Sequence, residues 1–135
     1  MIPWRRGGWT LGGAMSRRLD RGMVRRAQEI LRPVLEEGEE VLAYDPATTA
    51  STAPSPPVVT EGVLVNIYLT DRAIYVVEHE GATTRIARTD FEVNKSTSAE
   101  RIDLDLNGGR RLAAIPTPAP SRIAAVLADL LDLDG

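Results

Sequence analysis

The chain of 135 residues contains no cysteine and only one histidine, His79. Without cysteine it can form no disulfide, no thiolate nucleophile and no cysteine-ligated zinc site. A single histidine argues against a histidine-rich metal site or a histidine-dependent triad within one chain. No apolar run approaches the roughly 18 residues of a membrane-spanning helix. These absences favour binding over catalysis, and we expect no catalytic residues, no cofactor and no metal.

Lysine is nearly absent as well, since Lys95 is the only one, and the remaining charge is unevenly distributed. Residues 1–32 carry eight arginines and two carboxylates, a formal net of +6, whereas residues 33–135 have a formal net of −9. The basic region is typical of a contact with an anionic partner, or with the acidic body of the chain itself. Nucleic acid is not an expected partner, because the acidic body would repel it.

The length indicates one domain, preceded by a basic helix. Residues 1–15 contain four glycines and a proline without a steady period, which predicts a disordered leader. Residues 16–37 have apolar side chains at spacings of three and four, which predicts a basic amphipathic helix, although Pro33 leaves its end open. The apolar stripe of this helix comprises Leu19, Met23, Val24, Ala27, Ile30, Leu31, Val34 and Leu35.

Four arginines project together from the opposite side of the predicted helix, namely Arg18, Arg21, Arg25 and Arg32. In one interpretation they contact an anionic membrane or an acidic protein while the apolar stripe packs or inserts. In the other, the apolar stripe docks on the rest of the protein and the arginines are only solvated. The four arginines are the candidate contact residues of the sequence.

The remainder, residues 38–135, alternates with the period of β-strands and ends in a second helix. Asp45-Pro46 is expected to end the first strand, and residues 46–60, with four prolines and no charge, are expected to form an exposed loop. Asn107-Gly108-Gly109 predicts a tight turn between the last two strands. The predicted strands are 41–44, 62–69, 73–77, 84–87, 91–93, 101–106 and 110–115, and the helix is Ser121 to about Leu133.

This order of elements predicts an α+β fold. The N-terminal amphipathic helix precedes a strongly bent antiparallel sheet, or a partly open barrel, of six to seven strands. The C-terminal helix carries an apolar stripe and is expected to cap that sheet.

Two segments carry recognisable motifs: one runs from Gly62 to Val77 and contains Leu-Thr-Asp-Arg at 69–72, and the other is Glu-Gly-Glu-Glu-Val-Leu at 37–42. Both segments resemble bacterial PH-like and GRAM-like domains of the PH superfold. The resemblance covers about residues 36–133 and implies a seven-stranded bent sheet closed by one helix, acting as a binding or assembly module. Some members bind phosphoinositides through basic residues between the first two strands. Residues 46–60 contain no lysine or arginine, so this ligand is not expected here.

One pair of carboxylates, Asp103 and Asp105, lies two residues apart on a predicted strand. The pair could serve acid–base chemistry, but alternating charge on a solvated strand face gives the same pattern. We therefore expect a non-enzymatic, cytoplasmic PH-like binding or scaffolding module that contacts a protein partner or a second copy of itself. One alternative is peripheral association with the inner, anionic face of the membrane through the basic helix. A less favoured alternative is a carboxylate-dependent enzyme.

Overall fold

A computed structural model describes residues 21–79, 81–117 and 120–134. The fold is α+β, with a helix at each end of the described chain and seven strands between them. The helices are α1 (Arg21–Leu31) and α2 (Arg122–Asp134). The strands are β1 (Val41–Thr49), β2 (Leu64–Thr70), β3 (Ala73–Glu78), β4 (Thr83–Ala87), β5 (Phe91–Val93), β6 (Ile102–Leu106) and β7 (Arg111–Pro116). The predicted leader, residues 1–15, lies outside the described residues.

All seven strands belong to one antiparallel sheet in the order β4-β3-β2-β1-β7-β6-β5. Each strand pairs with its neighbour in sequence, except that β1 also pairs with β7 and that β4 and β5 do not pair. The sheet is therefore not closed, and β4 and β5 form its two edges. The predicted strand count and the antiparallel pairing are confirmed.

Helix α2 packs on one face of the sheet. Val65, Ile67 and Leu69 of β2 point to this face, and they are buried in a cluster that includes Ile123 and Leu127 of α2. Strands β1, β3, β4, β5, β6 and β7 all contribute side chains to the same cluster. Burial of this apolar surface is the main contribution to the stability of the fold.

Helix α1 packs on the opposite face of β1–β3. Ala27 and Leu31 are buried against Val41, Tyr68 and Tyr75 in a second apolar cluster. Side chains alternate along a strand, so Tyr68 faces α1 while its neighbours in β2 face α2. The apolar stripe of the predicted helix thus docks, in part, on the chain's own sheet.

Helix α1 ends at Leu31 rather than near residue 37, followed by turns at residues 32–35. Pro33 explains the difference, because its ring conflicts with a helical preceding residue and it has no N–H for a helical hydrogen bond. Residues 16–20 of the predicted helix lie outside the described residues. The predicted helix therefore ends before residue 37, at the side of Pro33 where its end had been left open.

Strand β1 continues through Asp45-Pro46 to Thr49, so the prediction that it ends at Tyr44 was wrong. Pro46 lacks an N–H, but its carbonyl accepts a hydrogen bond from the Thr117 N–H at 2.9 Å. The following segment was predicted as an exposed loop, yet Thr52 and Val59 are buried within it. The extra length of β1 matters because it carries Asp45 to the beginning of α2.

Strands β6 and β7 and their turn agree with the alternation and the turn residues in the sequence. Ile102 and Leu104 are buried, and residues 107–109 form the connection. Gly108 and Gly109 have φ angles of +82° and +78°, a region that side chains rarely adopt. The predicted tight turn is confirmed.

Candidate functional site

The four predicted contact arginines are only partly within the described structure. Arg25 and Arg32 are exposed, and Arg32 forms an ion pair with Glu29 three residues earlier in the chain. Arg21 is the first residue of α1, its side chain is not described, and Arg18 lies outside the described residues. The structure therefore places two of the four on the solvent side of α1, and their contact role stays a prediction.

Two residues of the predicted apolar stripe project into solvent. Ile30 is 66% exposed and Val34 is 47% exposed. Ile30 lies one helical turn after the exposed Arg26, and Val34 follows four residues later in the turn beyond α1. Docking on the chain's own sheet therefore covers only part of the stripe, since the sheet contacts the side of α1 that carries Ala27 and Leu31. We call Arg26, Ile30 and Val34 the α1 surface.

A glutamine side chain joins α1 to the beginning of β1. The Gln28 Nε2 donates to the Glu39 carbonyl at 3.0 Å, and the Gln28 Oε1 accepts from the Val41 N–H at 2.7 Å. Together the two hydrogen bonds use both ends of the amide. They add a specific orientation to the non-directional apolar packing of the helix.

A buried glutamate lies where the chain enters β1. Glu39 is 2% exposed, and its carboxylate accepts hydrogen bonds from the Thr70 hydroxyl at 2.5 Å, the Tyr75 hydroxyl at 2.8 Å and the Glu36 N–H at 2.9 Å. The Arg85 guanidinium lies 3.8 Å from it and donates to the Tyr75 hydroxyl at 2.9 Å. This set of contacts, the Glu39 cluster, joins residues 36–39 to β2, β3 and β4.

The electrostatics of the Glu39 cluster favour an ionised glutamate. Burial by itself raises the pKa of Glu39, because it removes the carboxylate from water. The hydrogen bonds from Thr70, Glu36 and Tyr75 and the charge of Arg85 outweigh burial, so that the pKa lies below its ordinary value. A carboxylate that stays charged and fully hydrogen-bonded is suited to fixing strand positions rather than to exchanging a proton.

Residues 36–38 extend this cluster towards solvent. Glu36 forms ion pairs with Arg72 at 3.2 Å and with Arg85 at 3.3 Å, and it is about half exposed. The Arg72 guanidinium also donates to the Glu37 carbonyl at 3.0 Å. Gly38 has φ near +80°, and a Cβ at this position would lie 3.2 Å from the Arg72 side chain. The turn thus requires glycine and is closed by Arg72.

The carboxylate pair of β6 differs from the solvated face that the alternation predicted. Asp103 is 2% exposed and accepts from the Ser96 hydroxyl at 2.5 Å, while Asp105 accepts from the Arg111 Nε at 2.9 Å. Arg101 and Arg111 lie 3.5 and 3.6 Å from the Asp103 carboxylate. The prediction that both carboxylates are solvated was wrong for Asp103, because the segment after β5 folds over it. Two neighbouring arginines make this an ion-pair cluster that joins strands.

A third buried carboxylate caps helix α2. Asp45 of β1 accepts from the Ser121 hydroxyl at 2.6 Å, the Arg122 N–H at 3.0 Å and the Ile123 N–H at 2.9 Å. The Ser121 hydroxyl in turn accepts from the Ala124 N–H at 2.8 Å. The first N–H groups of a helix have no partner within it, and an anion at this end is favoured by the helix dipole. Asp45 and Ser121 therefore fix the start of α2 on the sheet.

An open groove of about 550 Å³ lies between α2 and the segment that follows β5. One wall contains Lys95, Thr97 and Ser98, and the other contains Ala125 and Ala128 of α2. Its volume lies within the ordinary range for small-molecule sites. The sequence patterns named no residue of this groove as a candidate site residue, although Lys95, the only lysine of the chain, was a signal at this position.

Residues 21–79, 81–117 and 120–134 contain neither a metal-ligand cluster nor a membrane-spanning helix. In this part of the chain no group of three or more histidine, cysteine or acidic side chains is arranged to hold a metal ion. Neither of the helices described there is long and apolar enough to cross a membrane. The lone histidine, His79, is exposed at the end of β3.

Comparison with known proteins gives no assignment. No protein-family model matches the chain, and no curated protein matches it. The arrangement of the residues themselves therefore carries the functional argument.

Proposed function

We propose that this protein is a non-enzymatic PH-like binding or scaffolding module that self-associates through helix α1. The strand order, with β1 pairing both β2 and β7 and a helix after β7, supports the PH-like assignment. We interpret the open sheet as the strongly bent, partly open barrel of that superfold, with α2 as its cap. Because such a fold serves many functions, the mode of action has to come from the surface.

The two segments that resemble PH-like domains contact each other. Glu39 accepts from the Thr70 hydroxyl, the Glu40 N–H donates to the Asp71 carboxylate at 3.0 Å, and the Asp71 N–H donates to the Glu40 carbonyl at 3.1 Å. Both sequence patterns therefore have a structural reason, which is to fix the beginning of β1 against the turn after β2. This agreement between the two segments supports the resemblance, and it assigns their charged residues to folding rather than to catalysis.

The α1 surface is the observation that favours self-association. Ile30 and Val34, two large apolar side chains, are exposed in its centre. Exposed Arg25 and Arg26 precede them, and exposed Glu37 and Glu40 follow them. Apart from the Glu29–Arg32 ion pair, the exposed charge along this part of the chain is thus basic before Ile30 and acidic after Val34.

Such a charge order is complementary to itself when two copies meet in antiparallel orientation. A twofold axis through the centre of the α1 surface brings the basic end of each copy to the acidic end of the other. The same antiparallel arrangement opposes the two helix dipoles and removes Ile30 and Val34 from water. A second copy of the chain therefore satisfies both the charge and the apolar features of this surface.

Sedimentation velocity over a range of protein concentrations tests this proposal. At low salt we expect a reversible dimer, and we expect the dissociation constant to rise with salt because exposed charges are screened. Ile30→Glu should raise the dissociation constant by at least about tenfold, since it places a charge in the apolar centre. Leu64→Glu is the matched control, because Leu64 is 60% exposed on β2 rather than on α1.

A charge exchange tests the antiparallel orientation of the two copies. Arg26→Glu and Glu37→Arg should each weaken the dimer, and the double variant should recover most of the loss, because it restores opposite charges across the interface. A monomer at every concentration in low salt would refute self-association. Equal weakening by Ile30→Glu and Leu64→Glu would refute the assignment to α1.

Association with an anionic membrane is the second candidate, and the exposed Ile30 beside Arg25 and Arg26 is the observation that favours it. Flotation with vesicles containing anionic lipid distinguishes the two functions. Binding that Ile30→Glu abolishes, from a protein that sediments as a monomer, would support the membrane and contradict the dimer. We expect the wild-type chain to remain with the unbound fraction.

A further inference from the structure

The groove beside α2 combines an apolar wall with cationic side chains. Ala124, Ala125 and Ala128 lie along it, and the buried Leu127 contributes to its lining. Each alanine contributes a single methyl group, so the space above this part of the helix is not filled by side chains of the helix itself. A groove with these walls accepts an extended apolar group.

The polar side of the groove carries positive charge. Lys95, the only lysine of the chain, is exposed on the segment after β5, and Arg122 is exposed by about a third at the start of α2. The Arg122 guanidinium lies 3.7 Å from the Asp45 carboxylate, an ion pair that leaves part of its hydrogen-bonding capacity open. Both side chains line the same groove.

The end of helix α2 does not supply the anion site. The N–H groups of Arg122 and Ile123 donate to Asp45, and that of Ala124 donates to Ser121. These helix N–H groups are therefore already engaged by the protein's own oxygens. A ligand anion in the groove must be recognised by the Lys95 and Arg122 side chains, which are suited to a carboxylate.

We propose that this groove binds an amphiphilic carboxylate, such as a fatty acid of medium chain length. The carboxylate contacts Lys95 and Arg122, and the hydrocarbon chain lies along Ala124, Ala125 and Ala128. This site is on the face of the sheet opposite α1, so it does not depend on self-association of the protein.

Isothermal titration calorimetry of the full chain with decanoate tests the proposal. Decanoate, kept below its micelle concentration, should bind with one site per chain. Acetate has the same headgroup without the chain, and decanol has the same chain without the charge. Each should bind at least about tenfold more weakly, because each lacks one of the two contacts. Failure of decanoate to bind the wild-type protein would overturn the proposal, as would decanol binding as tightly as decanoate.

Paired variants locate the site. Lys95→Glu should weaken decanoate binding by about tenfold or more, whereas Arg88→Glu, which changes the charge equally at an exposed position outside the groove, should not. Ala125→Trp fills the groove and should abolish binding, whereas Ala82→Trp, in an exposed turn, should leave it unchanged. Circular dichroism verifies that all four variants fold. Wild-type affinity in Lys95→Glu or in Ala125→Trp would refute the placement of the ligand.

Discussion

Replacing Asp45 tests how strand β1 holds helix α2. The carboxylate is 0% exposed and accepts three hydrogen bonds, from the Ser121 hydroxyl and from the first two N–H groups of α2. Asp45→Ala removes all three acceptors while leaving the donors in place. Since the donors lie where the helix meets the sheet, water cannot replace the carboxylate without opening that contact.

The magnitude follows from these contacts. A hydrogen bond to a charged acceptor contributes about 1.5–3 kcal/mol, but three bonds to one carboxylate do not add independently. We expect Asp45→Ala to lower the free energy of unfolding by about 4 kcal/mol, typical of removing one partner of a buried charged contact. Asp45→Asn retains one oxygen acceptor and nearly the same volume, and should cost about 2 kcal/mol. Ser121→Ala removes the helix cap and should cost about 1 kcal/mol.

Urea unfolding at neutral pH, followed by circular dichroism, measures these losses. Glu61→Ala, at an exposed position between β1 and β2, is the control and should change stability by less than about 0.5 kcal/mol. The double variant of Asp45 and Ser121 should lose about 1 kcal/mol less than the sum of the two single losses, because they share a hydrogen bond. A loss below about 1 kcal/mol in Asp45→Ala, or strict additivity, would refute the reasoning.

Three further predictions concern other parts of the fold. The pKa of Glu39 in the folded protein lies below its ordinary value. Its ionised form should therefore contribute fully to the free energy of unfolding above the ordinary pKa, and this contribution should be lost as the pH falls through the pKa of the folded protein. The free energies of unfolding of the wild type and of Glu39→Gln should accordingly converge in acid unfolding. Gly108→Ala should cost about 1 kcal/mol in urea unfolding from the positive φ alone, as a Cβ there meets no atom within 4 Å. Asp103→Ala should lower the free energy of unfolding by about 2 kcal/mol. Asp105→Ala should lower it by less than about 1 kcal/mol, because the Asp105 side chain is 45% exposed. Equal losses would contradict the explanation by burial.

The parts of the fold that the sequence predicted well are those whose signals are local. The alternation in β6, the glycines at 108 and 109 and the apolar spacing of α2 all lie within a few residues of the structure they specify. The signal for β2 is local as well, because every second residue from Val65 to Leu69 is apolar and these residues form its buried face. Local patterns therefore sufficed to predict the number of strands and their antiparallel pairing.

The errors occur where a distant segment decides the environment of a residue. Asp45 looked like the end of a strand, but its partner Ser121 is 76 positions away, and that contact allows β1 to continue. Alternation placed Asp103 on the face opposite the core residues, but it could not show that Thr97 and Ser96 cover it. Burial of a polar group depends on such partners, which no local period encodes.

The candidate site also depends on contacts between segments that are distant in sequence. Spacing identified the apolar residues of α1 but could not show how much of the helix the sheet covers, so it could not separate the exposed Ile30 from the buried Ala27 and Leu31. The Glu39 cluster, by contrast, had a sequence signal in the resemblance to PH-like domains, although its role emerged only when Thr70 and Tyr75 were found beside it. Sequence therefore locates segments that matter, and contacts decide what they do.

Strand β1 connects the two surfaces for which we propose binding. Its beginning is fixed to α1 by Gln28, and its centre is fixed to α2 by Asp45, on opposite faces of one sheet. Energetic coupling between two sites requires an element with two arrangements that both sites favour differently. Here each helix has its own buried polar anchor to β1, and the anchors share no residue. Occupation of the groove should therefore leave the self-association constant unchanged, and a protein that binds decanoate only as a monomer would show that β1 is not the rigid connection that these contacts indicate.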